Sequence, residues 1–71
     1  MTMKVIISVY PYQETGWKGW VTVIEDFFTG ELWQRRAYYK ADAVKLKDDL
    51  KDKSLEDILD IYGTHYFERV K

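Results

Sequence analysis

Residues 3 to 10 (MKVIISVY) alternate so that Val5, Ile7 and Val9 share one face and Ile6, Ser8 and Tyr10 the other. A period of two with many β-branched side chains predicts a strand. Pro11 has no N–H to give a ladder, so it marks the end of that strand or an edge position, and QETG (13 to 16) then supplies a turn. Strand character resumes from Trp20 to Phe28 (WVTVIEDFF), Thr29-Gly30 reads as a tight turn, and residues 31 to 39 (ELWQRRAYY) form a third strand.

A two-residue loop at Thr29-Gly30 would set Phe28 opposite Glu31, Asp26 opposite Trp33, Ile24 opposite Arg35 and Val21 opposite Tyr38. One face would then carry Val21, Val23, Glu25, Phe27, Leu32, Gln34, Arg36 and Tyr38. Its reverse would carry Trp20, Thr22, Ile24, Asp26, Phe28, Trp33, Arg35, Ala37 and Tyr39. A longer loop with a bulge would slip this pairing and reassign the partners.

From Asp42 the period changes. Asp42 reads as an N-cap, and Ala43, Val44, Leu46, Lys47 and Leu50 predict an amphipathic helix to about Lys51. Ser54 followed by Asp57 resembles a capping box with Asp in place of Glu; Leu55, Ile58, Leu59 and Tyr62 recur at helical spacing, and Gly63 is a natural C-cap. The tail THYFERV (64 to 70) alternates as a fourth strand. The predicted class is therefore α+β, a four-stranded and mainly antiparallel sheet in the order β-β-β-α-α-β with the helices packed on one face.

Because the helices offer aliphatic side chains, the aliphatic side of the sheet is expected to meet them: Val5, Ile7, Val9, Val21, Val23, Phe27 and Leu32. Trp20, Ile24, Phe28, Trp33 and Tyr39 would then project from the uncovered side, a larger apolar patch than soluble monomers usually expose. With three Trp, six Tyr and three Phe in 71 residues, the chain has more rings than two short helices can cover. That length predicts a single domain over residues 1 to 71 with a small core, and the absence of cysteine removes both disulfides and thiolate metal sites. Oligomerisation is the reinforcement that remains.

A net charge of -1 gives no general attraction to phosphate. The apolar run before Pro11 is too brief for a secretory segment, and no run approaches the roughly 20 apolar residues of a spanning helix, so a cytoplasmic location is expected. The composition implies no cofactor and no membrane partner. His65 stands alone, Ser8 and Ser54 lack a neighbouring base, and Glu25 and Asp26 point to opposite faces of a strand, so no catalytic or metal-binding set is predicted and the chain is read as a non-enzyme. The acidic run DDLKDKSLEDILD (48 to 60) lacks the ligand spacing of a calcium loop and reads as solvated helix surface.

The expected function is a binding or regulatory module acting on another protein or on a second copy of itself, through an aromatic sheet face or an edge strand. Trp17, Trp20, Trp33, Arg35 and Tyr39 are the candidate partner-binding residues, with Trp17, set between two glycines, the freest of the tryptophans. Ordinary core packing would explain the ring residues equally simply. The alternative is a nucleic-acid-binding domain using the aromatic and basic segment 31 to 40, where Arg35, Arg36 and Lys40 interleave with Trp33, Tyr38 and Tyr39. In its order of elements, the stretch from 17 to 51, with Trp20, Gly30, Tyr39 and Ala43, resembles the arm-type DNA-binding domains of phage integrases and small β-β-β-α-β antitoxin domains. The acidic helices depart from the basic character that such a resemblance would imply.

Overall fold

A computed structural model describes residues 5 to 71. Its elements are β1 (Val5–Glu14), β2 (Trp17–Asp26), β3 (Leu32–Ala37), α1 (Lys40–Leu50), α2 (Leu55–Tyr62) and β4 (Glu68–Arg69). The four strands form one antiparallel sheet in the spatial order β1-β2-β3-β4, with both helices inserted between β3 and β4. The α+β class and the order β-β-β-α-α-β hold. Met3 and Lys4, the first two residues of the expected leading strand, lie outside the described residues.

Pro11 does not end the first strand. β1 runs on to Glu14 because it lies at the edge of the sheet, where a residue without an N–H need break no ladder bond. Thr15 and Gly16 connect β1 to β2 with Glu14 opposite Trp17, and Gly16 takes a φ of 82° that a side chain would oppose. The β2–β3 loop is longer than expected. Ile24 pairs with Trp33 and Trp20 with Ala37, and Phe27, Phe28, Thr29 and Gly30 all lie outside the ladder. Asp26 accounts for this: its N–H donates to the Glu31 carbonyl (3.0 Å), its carbonyl accepts from the Gly30 N–H (2.8 Å), and its Oδ1 accepts from the Phe28 N–H (2.9 Å). The register therefore moves by two residues, which changes partners but leaves each residue on its expected face.

The helices cover the opposite face from the one the aliphatic count selected. Ile24 (0% exposed) and Trp33 (8%) join Leu46, Leu50, Leu55, Ile58 and Phe67 in the core, with Val5, Ile7, Leu59, Tyr62 and Tyr66 packed around them. Val5, Ile7 and Val9 do lie on the helix side, as expected, because they pair with Asp26, Ile24 and Thr22. Val21, Val23 and Leu32 lie on the other side, and Phe27 stands in the turn, 66% exposed. Val21 is still buried, flanked by its partners Tyr10 and Arg36 rather than by a helix.

Polar side chains on the covered face are satisfied locally. The Thr22 hydroxyl donates to the Ala43 carbonyl of α1 at 3.0 Å, and among the described residues no buried side-chain N or O lacks a partner. Helix α1 begins earlier than Asp42. Tyr39 is its N-cap without a side-chain acceptor, and Asp42 sits in the first turn, where its charge suits the helix N-terminus. Helix α2 starts and stops as its sequence indicates: Ser54 Oγ accepts from the Asp57 N–H at 3.1 Å, and Gly63 closes it at a φ of 89°. The fourth strand is shorter than the tail's alternation predicts. Only Glu68 and Arg69 pair with β3, and the Val70 N–H and Lys71 carbonyl add bonds to Leu32.

Candidate functional site

Three rungs of the β1–β2 hairpin extend past the end of β3, since Ala37 stops opposite Trp20 while pairing of β1 with β2 continues to Glu14 and Trp17. This projecting ribbon contributes to the long dimension of a molecule measuring 41 × 23 × 19 Å. On its open face Tyr12, Trp17 and Tyr38 form a ring cluster, with Tyr12 5.8 Å and Tyr38 5.7 Å from Trp17 between centroids. Gly19 makes room for it. A Cβ there would come within 2.7 Å of Trp17 Cη2 and would collide with the Ala37 carbonyl oxygen, so the indole lies over bare backbone.

Arg36 ties this cluster to the sheet. Its guanidinium lies 5.6 Å from the Trp17 ring and 6.0 Å from Tyr12, donates to Glu14 Oε1 at 2.7 Å, and stands 3.8 Å from Glu68 Oε1. Glu68 also accepts from Gln34 Nε2 at 2.9 Å. Two carboxylates thus answer one cation in mostly solvated positions, where each pair is worth at most about 1 kcal/mol. Beyond this polar row the open face carries Ile6, Tyr10, Val21, Val23 and Leu32, with Ser8 and Glu25 the polar positions among them. Ile6 (43%) and Tyr10 (53%) are substantially exposed, and no helix lies above them.

A second ring cluster lies on the helix side. Tyr62, Tyr66 and Phe67 have centroids 5.1 to 5.8 Å apart, and the Arg35 guanidinium stacks 3.7 Å above Tyr66 while donating to the Tyr66 carbonyl at 2.8 Å. The ring surplus is therefore divided between an inner and an outer set.

The five candidate residues do not form one surface. Trp17 belongs to the open face at the hairpin tip. Trp20 and Arg35 lie on the helix side, with Lys40 Nζ 5.3 Å from the Trp20 ring centroid and Arg35 engaged by Tyr66. Trp33 is in the core, where its Nε1 donates to Glu31 Oε1 at 3.1 Å, and Tyr39 is the exposed N-cap of α1. The expectation that Trp20, Ile24, Trp33 and Tyr39 share an uncovered sheet face with Phe28 is thus corrected. Phe28 lies in the Asp26-pinned turn beside Phe27, and both rings are largely exposed.

The sequence reading misses Tyr10 and Tyr12 as site residues, and gives Arg36 and Tyr38 only to the nucleic-acid alternative. Their signal was present in the alternation of Ile6, Ser8, Tyr10 and Tyr12 and in the glycine two residues after Trp17. Between the end of β3 and α1 lies an open cleft of about 570 Å³ lined by Thr22, Arg35, Asp42, Lys45, Asp49 and Tyr66. Its lining also includes Arg36, so Arg35, Arg36 and Lys45 stand against Asp42 and Asp49, but Arg35 is already held by Tyr66 and Arg36 by Glu14. Glu25 and Asp26 pair with Ile6 and Val5 and so face opposite sides, and Ser54 is used as a helix cap. Among the described residues no set of three His, Asp or Glu side chains could hold a metal ion, and no helix is long and apolar enough to cross a membrane. The chain matches no protein-family model, and no curated protein or solved structure matches it.

Proposed function

We propose that this chain is a non-catalytic binding module whose partner is a second copy of itself, engaged through the uncovered side of the sheet and its β1 edge. The observation that carries the reading is the open face itself: Ile6, Tyr10, Tyr12, Trp17, Val23 and Leu32 stand on a sheet side with no covering layer. A core of seven clustered side chains among the described residues, in a chain of this length without a cysteine, supplies little stability alone. Association that buries large rings at low cost in side-chain entropy supports such a domain. The nucleic-acid alternative is weakened by the geometry around the basic strand, because Arg35 and Arg36 point to opposite sides and Arg36 already faces Glu14 and Glu68.

Sedimentation equilibrium across a wide concentration range tests the reading. The expected result is twice the mass of one chain at high concentration, falling toward one chain on dilution. A mass of one chain up to millimolar protein would overturn it.

A further inference from the structure

The two edges of this sheet are built differently. β4 is two residues long and presents Glu68 and Arg69, a short charged edge of the kind that discourages a further strand. β1 is ten residues long, pairs without interruption, and carries no charged side chain from Val5 to Gln13. Such an edge is a template for another strand.

The groups that face outward follow from the turn. In a hairpin with a two-residue loop the closing pair, here Glu14 and Trp17, is hydrogen-bonded, and bonded pairs then recur at every second residue. Even-numbered residues of β1 therefore turn their N–H and C=O toward β2. Val5, Ile7, Val9, Pro11 and Gln13 turn theirs outward. Pro11, the one residue without an N–H, falls in the outward set, so β1 loses no bond to β2 by having it.

We infer that two copies of this chain pair antiparallel through their β1 edges about a twofold axis at Ser8, forming one continuous eight-stranded sheet. This rests on the self-association reading and specifies its edge contact alone, since the merged open faces, with Tyr12, Trp17, Val23 and Leu32, stay uncovered in such a pair. An isologous contact requires residue and partner to exchange places across the axis. Centring on Ser8 sets Ile7 opposite the partner's Val9 as the bonded pair on the helix side, and Ile6 opposite the partner's Tyr10 on the open side. Every rung from Val5 to Pro11 is then filled without a charge opposite a charge, and the missing Pro11 N–H falls at the outermost of these rungs. Moving the axis to Val9 would set Pro11 against Ile7 and Gln13 against Val5, losing a bond inside the interface and burying an amide against an aliphatic chain.

Paired residues keep the same parity in this arrangement, so the helices of both copies lie on one side and the open faces merge on the other. Lys47, Lys51, Asp52 and Lys53 line the helix side beside Val5 and Ile7. Across the axis they meet the uncharged stretch from Val9 to Pro11.

Because the chain has no cysteine, Ser8→Cys introduces a single thiol. At a non-hydrogen-bonded pair on the axis, opposed Cβ atoms lie close enough for a disulfide. Mild oxidation of the S8C protein is expected to give a nearly complete disulfide-linked dimer, at least tenfold faster than a T64C control in the exposed turn after α2. In the wild-type protein, the Ile7 and Val9 amides are expected to gain at least tenfold protection from hydrogen exchange as concentration rises through the association range. That second measurement needs no variant to fold. A wild-type dimer whose S8C form links no faster than T64C overturns the Ser8 axis and leaves self-association standing. A dimer with unprotected Ile7 and Val9 amides overturns edge pairing altogether. A monomeric wild type overturns both readings.

Discussion

On β2 the side turned toward the helices carries Trp20, Thr22, Ile24 and Asp26, whereas the open side carries Val21, Val23 and Glu25. The more aliphatic side of this strand is the one without a covering layer. The choice of face is made by the sheet as a whole. Val5, Ile7, Trp33 and Phe67 join Ile24 on the covered side, and together they outweigh the two valines of one strand. Polar residues are tolerated there because each has its own partner, Thr22 in the Ala43 carbonyl and Asp26 in the Phe28 N–H. The open side lacks a helical layer and is organised instead by ring contacts over Gly19 and by the Glu14, Arg36 and Glu68 row.

Truncating a tryptophan on each side tests this division most severely. Trp33→Ala removes the largest side chain of the core and is expected to cost about 3 to 5 kcal/mol. That is comparable with the whole stability of a domain this small, so the variant should show no cooperative urea transition. Trp17→Ala, on the half-buried hairpin cluster, is expected to cost about 1 to 2 kcal/mol in dilute solution and to keep a cooperative transition. Equal losses from the two truncations would erase the distinction between an inner and an outer side.

Gly19→Ala sharpens the comparison on the open side alone. The added methyl group meets both the Trp17 indole and the backbone carbonyl of Ala37, and the carbonyl cannot swing aside as a side chain could. A loss of about 1 to 3 kcal/mol is expected, together with an altered near-ultraviolet circular dichroism signal as the indole is displaced. An unchanged spectrum and midpoint would mean that the ring cluster does not rest on this glycine.

Much of this architecture can be read directly from local pattern. Ser54, Asp57 and Gly63 bracket α2 because capping chemistry is local, and the alternation from Val5 to Tyr10 gives both the strand and a helix side of Val5, Ile7 and Val9. The covered side of β2 was legible too. Carried across a two-residue Thr15-Gly16 turn, odd residues of β1 pair with even residues of β2, which places Ile24 inside and, one strand further, Trp33. A count of aliphatic residues strand by strand hides that step, since it weighs Val21 and Val23 without asking which side β1 has already chosen. The β2–β3 loop was less accessible, because Thr29-Gly30 is a good turn signal, while the buried Asp26 that lengthens the loop acts through three hydrogen bonds visible only in three dimensions. Among the candidate site residues, Trp17 is not free in a turn, as its flanking glycines suggest, but is the first residue of β2, held by Tyr12, Tyr38 and Arg36, and the placement of Trp20, Trp33 and Arg35 depended on the choice of face.

The smallest expected effect concerns the inner ring cluster at alkaline pH. Burial raises the Tyr62 hydroxyl above the usual tyrosine value of 10.0, and the nearby Asp49 carboxylate and Tyr66 add to the rise by disfavouring the phenolate. In the unfolded chain Tyr62 ionises near its ordinary value, so above that value the unfolded state has released a proton that the folded state still holds. Stability from this group is therefore fully present at neutral pH and is lost as pH climbs from 10 through the raised folded value. Tyr62→Phe removes the titrating hydroxyl while keeping the ring against Tyr66 and Phe67. The wild type should lose stability more steeply than Y62F between pH 9 and 11 in urea titrations, with the two curves parallel below about pH 9. Identical slopes for the wild type and Y62F would mean that the Tyr62 hydroxyl contributes no such pH dependence.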